Sequence, residues 1–267
     1  MKYSNRHFGI FFILIITGIP TVFAQVNRYD LNATGDGIVL KLITGGDRIV
    51  IPETIEGYPV VEIGGGDRVI NGTPTEIVLP RTVRKIGANA FFDCRRLVTI
   101  NFPSGLKEIG NNAFQYCRNL VSIDLPEGLE IIGSSAFDNC EKLNSIKFPS
   151  SLREISYGAF AMDGFRTIEV GPIELIFPEG IEVIGVRAFQ NRFLIKTIVF
   201  PNSIKEIREG AFNSCFELTD ILIPDTLTSI RFPKGSWFVN NDAFSNCGKI
   251  KLAARRRLQD LGYPGSF

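Results

Sequence analysis

Two rhythms of apolar positions run along this chain, one of two residues and one of twenty-three. Ile100 and Phe102, Ile123 and Leu125, Ile146 and Phe148, Ile198 and Phe200, and Ile221 and Ile223 stand two apart, the period of a strand with one face buried. The dipeptide Ala-Phe recurs at Ala90, Ala113, Ala136, Ala159, Ala188, Ala211 and Ala243, at spacings of 23, 23, 23, 29, 23 and 32. Prolines keep the same beat at Pro80, Pro103, Pro126, Pro149, Pro178, Pro201 and Pro224. Aligned on the proline, a unit reads P-x-x-[VLI]-x-x-I-[GSR]-x-x-A-F-x-x-C-x-x-L-x-x-I-x-[FLI]. A period of this length is the mark of a solenoid, whose stacked coils bury a core that no single repeat could bury alone.

Each position then has a physical reading. The two-residue alternation predicts one short strand per coil, stacked in parallel and ended by proline, which lacks an amide donor and fixes φ. Pairs such as Leu106/Ile109 and Leu129/Ile132 pack the next side. Gly87, Gly110, Gly133 and Gly185 suit a tight corner, although Ser156 and Arg208 share that position. Ala is small where the chain turns near itself, Phe fills the coil centre, and Leu97, Leu120, Leu143 and Leu218 close it. Upstream, Ile49–Pro52 and Val60–Gly64 repeat the cues without Ala-Phe, as a degenerate first coil would. Gly45-Gly46 and Gly64-Gly65-Gly66 lack the context of a phosphate loop and read as turns.

The domain boundaries follow. Lys2 and Arg6 precede an apolar run from Phe8 to Ile19, then Pro20 and Val22-Phe23-Ala24, the pattern of a secretory signal cleaved after Ala24. The run is short of the roughly 20 residues that span a bilayer. Residues 25–48 are expected as an N-terminal cap, 49–247 as the solenoid and 248–267 as a helical cap. In that last segment Ile250, Ala254, Leu258 and Leu261 share one side, and Arg255, Arg256 and Arg257 lie largely off it as a solvated charged face. The repeat is interrupted near 161–174 and 231–239, and insertions in a solenoid often carry binding. The second contains the single Trp237 beside Phe238, an aromatic pair suited either to capping or to partner contact.

Charge and rare residues narrow the function. Lys and Arg number 29 against 28 for Asp and Glu, so no global field points to nucleic acid or an anionic membrane. The single His7 lies in the export segment, which leaves a mature chain without the commonest general base or metal ligand. No catalytic, cofactor or metal site is expected. Cys94, Cys117, Cys140, Cys215 and Cys247 all stand three after the Phe, with Asp163 and Arg192 in that slot elsewhere. Their spacing is no zinc or redox motif; a ladder of reduced buried thiols is favoured, with pairing between adjacent coils as the alternative.

Strings such as LPRTVRKIGANAFFDCRRLVTINFP (Leu79–Pro103) and LPEGLEIIGSSAFDNCEKLNSIKFP (Leu125–Pro149) resemble the repeats of the BspA-like leucine-rich repeat family, including treponemal surface proteins, over about Ile51 to Cys247. The resemblance implies an α/β solenoid, a right-handed leucine-rich repeat superhelix with 23-residue coils, short parallel strands and terminal caps. It implies an exported, non-catalytic adhesion module for a protein partner, such as a host extracellular or cell-surface protein, located outside the cell or at its surface, with the periplasm as the other compartment. The count of about eight stacked coils is expected to give a curved monomer. A structural, self-associating component of the envelope is the competing role. From the residues themselves comes a candidate contact surface. Outward strand positions are polar at Asn101, Asp124 and Lys147 but become Ile176, Val199 and Leu222 on consecutive coils, rimmed by Glu174, Lys196, Thr197 and Asp220. Trp237 and Phe238 are expected to join this surface.

Overall fold

One phenylalanine per coil forms a column down the centre. In this computed structural model, which describes residues 11–12, 25–163, 171–233 and 242–267, Phe91, Phe114, Phe137, Phe160, Phe189, Phe212 and Phe244 are fully buried. Neighbouring rings are stacked at 5.0 to 5.4 Å. The column keeps its step through both interruptions, with Phe160–Phe189 at 5.2 Å and Phe212–Phe244 at 5.3 Å. Phe102, Phe148, Phe177 and Phe200 pack edge-on against it from the strand side. The column is therefore unbroken by either interruption.

Coils are joined by hydrogen bonds on three sides. The expected parallel strands are present: Glu76–Val78, Thr99–Ile100, Ser122–Asp124, Ser145–Lys147, Ile173–Ile176, Ile195–Val199 and Asp220–Leu222. A second ladder, not expected, runs after the proline turn through Lys85–Ile86, Glu108–Ile109, Ile131–Ile132, Glu154–Ile155, Val183–Ile184 and Glu206–Ile207. Each coil thus carries two short strands instead of one. At the third side the amides of the first six Ala-Phe phenylalanines, Phe91 to Phe212, each donate to the alanine carbonyl of the next coil at 2.7–2.8 Å, for example Phe137 to Ala159, and that of Phe244 donates to the Tyr263 hydroxyl at 3.2 Å.

That third side is turn, not helix, and the backbone shows why. Asn89 and Asp93, Asn112 and Tyr116, Ser135 and Asn139, Arg187 and Asn191, and Gly210 and Ser214 hold φ between 54° and 64°. Left-handed residues four apart stop any right-handed helix from propagating. Among the described residues the α-helix is confined to Leu252–Asp260, and the fold is a β-solenoid of the leucine-rich repeat type.

The corner glycines act by closeness rather than by φ. A Cβ on Gly87 or Gly110 would lie 2.6 Å from the backbone nitrogen of Gly65 or Ala88 in the preceding coil, and neither holds a left-handed φ. Their amides donate across this gap to Ile63 and Ile86 at 2.6 and 2.7 Å.

At the N-terminal end, Gln25–Leu31 and Ile38–Thr44 form an antiparallel hairpin, and Ile38–Thr44 runs parallel to Tyr58–Ile63, which leads into the second ladder. Phe11–Phe12 pair antiparallel with Gln25–Val26. The rest of the expected export segment lies outside the described residues. At the other end Ile250, Leu258, Leu261 and Tyr263 are buried and Ala254 packs on the core. Arg257 donates to the carbonyls of Pro224, Asp225 and Leu227, and Arg255 to those of Ile250 and Gly248. Two of the three consecutive arginines therefore tie the helix to the last coil, where a solvated charged face was expected.

Candidate binding face

Parallel register places the apolar outward residues in one row. Ile176 pairs with Val199 and Val199 with Leu222, because side chains two apart along each strand share a face and the ladder keeps them level. The inward partners Leu175, Ile198 and Ile221 are buried. Ile176 is 60% exposed and Leu222 57%, with Val199 half-buried between them.

The rim is polar and partly fixed. Glu174 and Lys196 are exposed, and Thr197 pairs with both Glu174 and Asp220 in the ladder. The hydrogen bonds from Lys251 and Thr219 hold the Asp220 carboxyl below its usual range. Toward the N-terminus the same row turns polar: Lys147 pairs with Asp124 at 3.2 Å, and Asn101 clamps the Leu79 backbone through both its amide atoms.

Trp237 and Phe238 lie outside the described residues. Their described flanks, Pro233 and Asp242, follow the second-ladder bridge at Arg231 and precede the Ala243-Phe244 corner. Those flanks thus lie beyond the proline turn from the row. The first interruption, by contrast, leads directly into the Ile173–Ile176 strand.

The cysteines form the expected ladder, all five buried and free. The thiols of Cys117, Cys140, Cys215 and Cys247 each donate to the phenylalanine carbonyl of the coil before, at 3.1 to 3.5 Å. Burial pushes the Cys140 thiol up to about 12 and those of Cys117 and Cys215 well above their ordinary value, so these sulfurs stay protonated and unreactive.

Sequence reasoning missed the role of Arg192. It is 2% exposed, in the cysteine slot, and its Nε donates to Phe160 O at 2.7 Å as a thiol would. Its Nη1 continues to Cys140 O and Leu143 O at 3.1 and 3.2 Å. The substitution of Cys by Arg beside the 29-residue spacing was the available signal: a longer donor spans the coil where the repeat is interrupted.

Among the described residues no group of three or more His, Cys, Asp or Glu could hold a metal ion, and no helix is long and apolar enough to cross a membrane. The carboxylates beside the second-ladder isoleucines are engaged in ion pairs between coils, Glu108 with Lys85 and Glu154 with Arg208.

A family model described as the BspA type leucine rich repeat region matches six copies over residues 71–174 and 173–252. The chain belongs to this family. It is similar to the crystal structure of a leucine rich repeat protein of T. pallidum, at 27% identity and a TM-score of 0.60, over 90% of this chain and 94% of that one. A leucine-rich repeat protein from Bacteroides ovatus is 24% identical with a TM-score of 0.43, over 89% of this chain and 70% of that one. A leucine rich cell surface protein from Faecalibacterium prausnitzii is 21% identical with a TM-score of 0.39, over 87% and 88%. No curated protein matches. Repeats of this BspA type are typical of bacterial protein-binding and adhesion proteins, and leucine-rich repeat proteins are in general non-catalytic scaffolds.

Proposed function

We propose that this BspA-type protein is an exported adhesion module that binds a protein partner, such as a host extracellular or cell-surface protein, through the first-ladder face. The observation that carries the reading is the row Ile176–Val199–Leu222, held in register with its two outer side chains more than half exposed. Apolar side chains aligned on a rigid sheet and rimmed by Glu174, Lys196 and Asp220 have the layout of an interface core and rim. The secretory pattern of residues 1–24 supports export. The family supports a non-catalytic role.

Two measurements test this together. Protease added to intact producing cells should degrade the protein, and the purified protein should bind cultured host cells saturably, in a manner abolished when the cells are first stripped of surface protein. Protection from protease, or self-association without cell binding, would replace the adhesion reading with that of an envelope component.

A further inference from the structure

Side chains that depart from the repeat gather at one open cavity of about 240 Å3, lined by Arg95, Tyr116, Arg118, Asn139 and Asp163 from four consecutive coils. The second left-handed slot of the Ala-Phe corner holds Asp93, Asn139, Asn191, Ser214 and Asn246, short polar residues that tolerate φ near +60°. In the coil at this cavity it holds Tyr116, at φ +64°. A bulky ring is strained there, and strain of this kind is kept where it serves a site. Asp163 is the second departure: it stands in the cysteine slot, exposed where the cysteines are buried.

The contacts tie these departures together. The Tyr116 hydroxyl reaches Asp163 Oδ2 at 3.4 Å across the intervening coil. Asn139 Nδ2 donates to the same oxygen at 3.0 Å, and the Asp163 amide donates to Asn139 Oδ1 at 2.8 Å. Phe92 meets the Tyr116 ring edge-on at 5.7 Å, and the Arg118 guanidinium lies 5.8 Å from its centre. Arg95 is paired with Asp93 at 2.6 Å and Arg118 with Glu141 at 3.3 Å. Both cations are therefore already met by carboxylates, and Asp163 adds a negative charge. The cavity has no net positive field to attract an anion.

What it offers is an aromatic wall, guanidinium donors and a carboxylate acceptor in a space below the roughly 300–1,000 Å3 of drug-sized sites. That chemistry suits one neutral polyhydroxyl ring, with apolar C–H groups against Tyr116, hydroxyls donating to Asp163 and the Arg95 guanidinium donating to ring oxygens. We propose that this cavity, on the turn side of the solenoid and separate from the apolar row, binds a neutral hexose residue of a glycan.

The test uses variants that restore the repeat. Glucose, galactose, mannose and glucuronate are titrated separately into the purified protein, reading the amide NMR shifts of Tyr116, Asn139 and Asp163. At least one neutral hexose should give saturable shifts centred on these residues. Tyr116→Asn and Asp163→Cys introduce the residue types that other coils carry, so both should keep or raise the unfolding midpoint while weakening that hexose about tenfold, near the upper worth of one aromatic contact. No shift with any neutral hexose, tighter binding of glucuronate, or unchanged affinity in folded Tyr116→Asn would each overturn the proposal.

Discussion

At Gly133 an added Cβ would sit 2.5 Å from the Asn111 amide nitrogen and 2.6 Å from the Gly110 carbonyl carbon, both backbone atoms of the coil before. Conformational freedom alone would make Gly133→Ala neutral or mildly stabilising, since this glycine holds no left-handed φ. Crowding predicts the reverse, a loss of about 1–3 kcal/mol as the coils are pushed apart, read from chemical unfolding. Arg192 gives a sharper contrast. The repeat would place Cys there, yet Arg192→Cys strips the Leu143 carbonyl of its donor and leaves the Cys140 carbonyl with the Leu143 amide alone. With about 1–3 kcal/mol for a buried carbonyl left unbonded, the variant should lose roughly 1–3 kcal/mol; a gain in stability would show that the consensus residue suffices. Asp138 adds a pH signature. Burial raises its pKa above the ordinary carboxylate value, aided by Asp163 and opposed by Gln115, Asn139 and Arg192. A carboxyl raised in the folded state favours folding at low pH and takes stability away as pH rises through its folded value. Asp138→Asn should therefore gain on the parent from acid toward neutral pH in thermal unfolding, whereas a constant difference would leave Asp138 without titration-linked strain.

At the scale of the elements, what could be read in the chain was what repeats at one position with one residue type. The Ala-Phe beat located the phenylalanine column, and the fully buried rings from Phe91 to Phe244 stand where that beat put them. The second ladder was hidden because its strands are two residues long, with a single inward isoleucine such as Ile109 or Ile132 and an outward residue that varies from Lys85 to Ile131. Two residues are too few for alternation to show. The left-handed corner slots were hidden too, because Asn, Asp, Ser, Gly, Tyr and Arg all occupy them. The glycine corner was located as tight, but what crowds it, the backbone of the preceding coil, leaves no local trace. If the column is the common core, Phe137→Ala and Phe189→Ala should each cost about 3–5 kcal/mol, although an interruption lies between them. A loss below about 1 kcal/mol at Phe189 alone would mean that the stack is divided at the interruption.

Over the whole molecule the pattern is one scaffold held together by its unbroken positions and by buried Arg192, with its exposed departures as the candidates for recognition. Six steps of 5.0 to 5.4 Å carry the column from Phe91 to Phe244. A face that is polar at Asn101, Asp124 and Lys147 becomes apolar at Ile176, Val199 and Leu222, while the inward side chains beneath it stay branched aliphatics throughout. Alternation made this row legible in the sequence. The cavity around Tyr116 was not, because its residues come from four coils and only stacking brings them together. The most direct measurement of the central claim, that the row recognises a partner rather than serving as core, compares the Val199→Ser, Leu222→Lys double variant with the parent in host-cell binding and thermal unfolding. The account predicts at least about tenfold weaker binding, given the roughly 1.5–3 kcal/mol that burying one such side chain is worth, with the unfolding midpoint nearly unchanged. Parent-strength binding by the folded variant, or its unfolding, would contradict the claim.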